Sequence, residues 1–82
     1  MRTRDPGREN NRAYVRFRLR AVKARLAGKV MKSWECEAQA DCLTAIPPPH
    51  AVPPSMVAQC DDLASLGEAG LAGLGALLEK WR

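Results

Sequence analysis

The sequence predicts an all-α fold, a small helical hairpin or bundle, and three observations support this class. Apolar residues recur at helical spacing in two separate stretches, a run of prolines separates them, and alternating apolar patterns end after about eight residues. With 82 residues the chain is one small domain at most, and such a domain buries only about 60% of the surface that its unfolded chain exposes. We therefore expect a basic N-terminal helix and a leucine-rich C-terminal helix joined by a proline-rich connector.

The N-terminal part divides into an arm and a helical segment. Residues 1–10 contain a proline, a glycine and alternating charges without apolar periodicity, so we expect a disordered arm there. Residues 11–45 are expected to form a basic helical segment, and Asn10 or Asn11 is the expected cap of its first helix. The apolar positions of that helix follow at steps of four, three, four and four, and they are Val15, Leu19, Val22, Leu26 and Val30.

A β-strand is the competing interpretation of residues 14–20. Apolar residues alternate with arginines there, and in a strand Arg16, Arg18 and Arg20 would stand in one row. In a helix the same arginines spread around the axis. The alternation fails from Val22 onward, so a helix accounts for more of the segment.

A short second helix is expected near residues 33–44. Gly28 ends or bends the first helix, because glycine is a poor helix former. Ser33 is the expected cap of the second helix, since Glu35 and Glu37 then lie in its first turn, where negative charge is favourable.

A proline-rich connector is expected at residues 46–54, IPPPHAVPP, where five of nine residues are proline. Proline lacks the backbone donor and fixes φ, so the connector should be extended. Residues 55–82 are expected to form a leucine- and glycine-rich helical segment capped by Ser55. Its glycines weaken a helix by about 1 kcal/mol each relative to alanine, so it should be stable only when packed. The residues assigned to self-association as a homodimer are Leu63, Leu66, Leu71, Leu74, Leu77, Leu78 and Trp81.

Charge is divided unevenly along the chain. Residues 1–34 contain eleven basic and two acidic side chains, whereas residues 35–82 contain two basic and seven acidic ones. A basic segment of this kind is typical of proteins that contact the phosphates of DNA or RNA. The residues assigned to nucleic-acid binding are Arg12, Arg16, Arg18, Arg20, Lys23, Arg25, Lys29 and Lys32.

Metal binding and catalysis are not expected. Cys36, Cys42, His50 and Cys60 have the spacing C-x5-C-x7-H-x9-C, which differs from zinc patterns built on close cysteine pairs. His50 lies in the connector with no nucleophile motif around it, so we assign no catalytic residue, cofactor or small-molecule substrate. The odd number of cysteines and the lack of a secretory signal indicate a reducing compartment, and we expect the protein to be cytoplasmic.

Three hypotheses on function follow from these patterns. The first is a small accessory protein that binds nucleic acid non-specifically through its N-terminal helix and self-associates through its C-terminal helix. The second is a structural or protein-interaction module in which the basic helix packs against the acidic half of the chain. The third, which the patterns support least because a membrane partner is not expected, is adsorption to an anionic membrane through the basic helix and Trp34. A membrane span is not expected, because the longest weakly polar run covers only residues 63–78 and contains an acid.

Overall fold

The part of the chain that the structure describes forms four α-helices, so the predicted all-α class is confirmed. The computed structural model describes residues 6–47 and 50–81, apart from the side chain of Pro6. Its helices are α1 (Pro6–Leu26), α2 (Val30–Thr44), α3 (Pro54–Ser65) and α4 (Glu68–Lys80). The described residues contain no β-strand, and VRFRLRAVKARL lies entirely within α1. The strand interpretation of residues 14–20 is therefore wrong.

The first helix begins earlier than expected. α1 starts at Pro6 instead of near Asn11, so the disordered arm predicted through residue 10 is wrong for residues 6–10. Residues 1–5 lie outside the described residues. Proline suits the first position of a helix, because its φ is already helical and the donor it lacks would have no partner there. Glu9 adds a favourable negative charge in the first turn.

A tight turn at Gly28 separates α1 from α2. Gly28 has φ 79°, which glycine adopts without the steric cost of a side chain, and its N–H donates to the carbonyl of Arg25 over 3.0 Å. α2 then begins at Val30, with Lys29 as its N-cap residue. The predicted cap at Ser33 is wrong, since Ser33 is buried inside the helix. The second helix is thus 15 residues long and starts one turn earlier than predicted.

The C-terminal segment forms two helices where one was expected. Pro53 is the N-cap residue of α3 and Pro54 occupies its first turn, so the cap predicted at Ser55 is wrong and the expected connector is shorter by one residue. A turn at Leu66 and Gly67 separates α3 from α4, and Gly67 has φ 62°. The same low helix propensity that weakens a single long helix makes glycine suitable for this reversal.

The core lies mainly between α1, α3 and α4. α1 contacts each of the other helices and α3 packs against α4, whereas within the described residues α2 contacts only α1. From α2 the core takes a single buried alanine. The buried core residues are Tyr14, Val15, Val22, Ala40, Val52, Met56, Cys60, Ala64, Leu74 and Leu77.

Most of the leucines assigned to self-association are used within one chain. Leu74 and Leu77 are buried in the core, and only Leu66 is exposed. Four further members pack against the core in part, and they are Leu63, Leu71, Leu78 and Trp81. We expected self-association because one basic helix could not cover this apolar surface. In the structure α1, α3 and α4 cover it together, because the break at Gly67 folds α4 back along α3. A homodimer stays a prediction, but it now lacks most of the surface on which it was based.

Candidate nucleic-acid interface

The basic residues of α1 divide into two groups with different surroundings. Arg18 and Arg25 face α3 and bond to it; we call them the engaged edge. Arg8 belongs to neither group and lies over the ring of Trp81. The other four cations on α1 are exposed to solvent, and we call them the open edge: Arg12, Arg16, Arg20 and Lys23. All six were assigned to nucleic-acid binding from the sequence. The structure brings the four residues of the open edge onto one face of the helix and assigns the other two a packing role.

Arg18 forms the centre of the engaged edge. Its guanidinium lies 2.7 Å from a carboxylate oxygen of Asp61 on α3 and donates a second bond of 3.0 Å to the hydroxyl of Tyr14. The Arg18 side chain is only 13% exposed, so these bonds act in a partly desolvated setting. This ion pair joins α1 to α3.

The pKa values around Arg18 show the effect of this burial. Burial alone would lower the pKa of Arg18, but the hydrogen bond from its guanidinium to Asp61 and the nearby Tyr14 outweigh it, and the pKa is raised. Burial also raises the pKa of Tyr14, although Arg18 opposes the shift. Burial raises the pKa of Cys60 to about 11, so this thiol stays protonated and is a poor nucleophile at neutral pH.

Arg25 ties the end of α1 to the end of α3. Its guanidinium donates a 2.7 Å hydrogen bond to the carbonyl oxygen of Ala64. Ala64 lies in the last turn of α3, and its carbonyl also accepts the N–H of Gly67 over 3.3 Å. Positive charge is favourable at this end of the helix. The bond from Arg25 therefore holds the α1–α2 turn beside the α3–α4 turn.

The open edge is a straight row of cations. Arg12, Arg16 and Arg20 are four residues apart and Lys23 follows three residues later, so helical geometry places them on one face over about 16 Å. In the described part of the chain none of the four forms an ion pair or a side-chain hydrogen bond. Like charges four residues apart destabilise a helix by about 0.2–0.5 kcal/mol per pair. Repulsion within the row therefore lowers the stability of the folded chain slightly.

A groove between α1 and α2 extends the open edge. Arg20 and Lys23 lie on its α1 side, and Lys29 and Lys32 come from the turn and from α2. The groove encloses about 630 Å³, and Glu35 and Gln39 are its other polar lining residues. The chain reversal at Gly28 creates this arrangement, because it places the cations that follow the turn beside those that precede it. Four of the eight assigned residues therefore surround one concave surface.

Other kinds of site find less support in the geometry. The described residues contain no group of three or more side chains placed to hold a metal ion. Cys42 is exposed on α2, whereas Cys36 and Cys60 are buried on different helices. Among the described helices none has the length and apolar character needed to cross a bilayer. In comparisons with known proteins, no family model, no curated protein and no solved structure matches this chain.

Sequence reasoning missed two features of this surface. Helical spacing places Arg16, Arg20 and Lys23 on one edge of the basic helix and Arg18, Arg25 and Lys29 on the other. Only the position of α3 shows that Arg18 and Arg25 form internal bonds. Sequence reasoning also expected Leu26 and Val30 to continue a buried apolar stripe, whereas both are about half exposed at the turn. Gly28 was the available signal for the groove, because a reversal at this glycine necessarily brings its two flanks together.

Proposed function

We propose that the protein binds nucleic acid non-specifically, through the open edge of α1 and the two lysines across the groove. The observation that carries this proposal is the set of six exposed cations, none of them ion-paired in the described part of the chain. Repulsion within the row is relieved when phosphates lie along it, and condensed counterions are released from the nucleic acid at the same time. The six residues are Arg12, Arg16, Arg20, Lys23, Lys29 and Lys32.

The expected contacts are to the phosphate backbone. Exposed lysine and arginine side chains in a row fix the position of a duplex without reading base edges, so we expect little preference among sequences and binding to either DNA or RNA. If some three to five phosphates are neutralised, the slope of log affinity against log salt on duplex DNA should be about −3 to −5. Arg18 and Arg25 are left out of this interface, because their guanidinium groups are committed to α3.

The test compares two variants that remove one exposed cation each. R20Q acts in the groove, whereas K80Q acts near the end of α4 and serves as the matched control. We expect R20Q to weaken binding of a labelled 20-base-pair duplex, measured by fluorescence anisotropy between 50 and 200 mM salt, and to flatten the salt slope by about one unit. K80Q should leave the slope unchanged.

Two results would remove the proposal. One is the absence of binding at 50 mM salt by a chain that circular dichroism shows to be helical, and the other is an equal effect of R20Q and K80Q. Either result would favour the second hypothesis, a structural or protein-interaction module. Sedimentation equilibrium on the same samples tests the homodimer, for which a monomer at high concentration is the contrary result.

A further inference from the structure

All five large apolar side chains that are strongly exposed in the described residues lie at one end of the bundle. Four belong to the α1–α2 turn and its flanks, and Leu66 belongs to the α3–α4 turn. The hydrogen bond from Arg25 to Ala64 holds these two turns side by side. We call this surface the apolar end, and its residues are Leu26, Val30, Met31, Trp34 and Leu66.

Helix α2 has an unusual distribution of side chains. It packs on α1 through the small residues Ser33, Cys36 and Ala40, which are its buried positions. Its largest apolar side chains, Met31 and Trp34, are 68% and 62% exposed. A helix on the surface of a globular protein normally turns its large apolar residues toward the core and leaves small and polar residues exposed. A surface of this kind usually marks an interaction site.

Positive charge lies beside the α1–α2 part of the apolar end, although two exposed acids are also near, Glu35 next to Trp34 and Glu68 close to Leu66. Lys29 and Lys32 directly precede and follow Val30 and Met31 in the chain, and Lys23 lies one helical turn before Leu26. The N-terminus of α2 adds to this charge, since its first turn contains no acid and its N-cap residue makes no side-chain capping bond. The unpaired N–H groups of a helix N-terminus favour anions. The apolar end is therefore suited to an apolar phase with an anionic boundary.

We infer that the apolar end is a docking surface for an anionic lipid membrane. Trp34, Met31 and Val30 would enter the boundary between headgroups and acyl chains, while Lys29 and Lys32 contact lipid phosphates. This is adsorption without a span, and it is a function separate from nucleic-acid binding. The lipid phosphates need no fixed positions relative to Lys29 and Lys32, because lipids in a fluid bilayer rearrange around side chains that project into it.

Two other occupants fit the surface less well. In a two-fold homodimer the same patch faces itself, so Lys29 and Lys32 would approach their own copies and repel them. A protein partner would have to provide a pocket for each projecting apolar side chain, since none of the five lines the groove between α1 and α2. An anionic bilayer attracts the lysines instead of repelling them, and it accepts the projecting apolar side chains without preformed pockets.

The experiment uses the full chain and vesicles of phosphatidylcholine with 30% phosphatidylglycerol. In a W81F background Trp34 is the sole tryptophan, and its emission should shift to the blue on binding and be quenched by brominated acyl chains. Co-sedimentation should show at least tenfold weaker binding by M31S/W34S, and on the order of fivefold weaker binding for each of Lys29 and Lys32 changed to Gln. Pure phosphatidylcholine vesicles should bind weakly.

A second variant serves as the control and separates the two functions. R12Q/R16Q removes cations of the open edge far from the apolar end, so it should weaken oligonucleotide binding while vesicle binding stays within about threefold. M31S/W34S should show the reverse pattern. Circular dichroism of each variant establishes that it is folded.

Three results would overturn the inference: no binding to anionic vesicles at 50 mM salt, equal binding by the wild type and by M31S/W34S, or a dimer that M31S/W34S dissociates. Vesicle binding without oligonucleotide binding would instead overturn the proposed nucleic-acid function and leave this inference standing.

Discussion

Arg16 and Arg18 are two residues apart on α1, yet their surroundings differ in every respect. Arg18 is largely buried, contacts Asp61 and Tyr14, and joins two helices. Arg16 is exposed and has two arginines as its neighbours on the helix face, Arg12 and Arg20. The Arg18 guanidinium bonds to a carboxylate and a hydroxyl within the chain, although its buried Nε has no hydrogen-bond partner in the described structure. Arg16 stands in a row of like charges, and the repulsion within that row is relieved when an anion binds from outside.

This difference shows why a count of basic residues overstates a binding surface. The sequence assigns eight cations to nucleic acid, and the fold uses two of them as internal bonds to α3. Both of these reach partners more than 35 residues away in the chain, Asp61 and the carbonyl of Ala64. Local spacing contains no information on such contacts, and the open edge becomes visible only after they are subtracted.

The largest expected difference between the two edges is in stability. R18A should lower the free energy of unfolding by about 2–3 kcal/mol, because it removes two hydrogen bonds of a charged group in a partly buried site. R16A should change it by no more than about 0.5 kcal/mol, as is usual for an exposed position. Urea unfolding followed by circular dichroism measures both. Equal effects of R16A and R18A would contradict the division of α1 into two edges.

A smaller effect is expected at alkaline pH, and it comes from Cys60 on α3, the helix to which the engaged edge bonds. The pKa of Cys60 is raised from its ordinary 9.0 to about 11, so above pH 9 the unfolded chain loses a proton that the folded chain keeps. Stability present below pH 9 is therefore lost as the pH rises toward 11, by about 1.4 kcal/mol at pH 10. The raised pKa of Tyr14 acts in the same direction.

Unfolding by urea at pH 8 and pH 10 tests this pH dependence. C60A provides the control, since it lacks the thiol but retains every other titrating group. We expect a flatter pH profile for C60A than for the wild type. Parallel profiles would mean that the Cys60 thiol ionises equally well in both states.

The smallest expected effect sharpens the interpretation of the open edge. R16E replaces two repulsive pairs, with Arg12 and Arg20, by attractive ones, and should stabilise the protein by about 0.8 kcal/mol at low salt, at about 0.2 kcal/mol for each pair removed or formed. The gain should shrink in 0.5 M salt because exposed charges are screened. Thermal unfolding at the two salt concentrations measures it. A loss of stability would show that Arg16 has an internal role after all.

The helical class was predictable because apolar periodicity and the proline run are local signals. The extent of α1 was not, since Pro6 and Gly7 resemble a loop until the helix that follows provides their context. The single C-terminal helix was wrong for a related reason. Leucines at helical spacing continue across Leu66 and Gly67, and only packing of α4 against α3 makes the reversal favourable.

The candidate surface was predictable in part. The common face of Arg12, Arg16, Arg20 and Lys23 follows from their helical spacing along one flank of the apolar stripe. The groove and the apolar end were not predicted, because both depend on which side of α1 receives α2. Helical spacing placed Leu26 and Val30 on a buried face, but the chain turns between them and leaves both at the end of the bundle.

The way α2 is attached also bears on how cooperatively the protein unfolds. Among the helices α2 contacts only α1 in the described structure, so its position depends on that one contact, which is the most extensive between any two helices. Its contribution to the core is the buried Ala40 and the partly buried Leu43. Detachment of α2 would separate Lys29 and Lys32 from Arg20 and Lys23, so the groove exists only in the closed state. An anion that bridges the groove would therefore act as a latch, and occupancy of the site and closure of α2 would be linked equilibria.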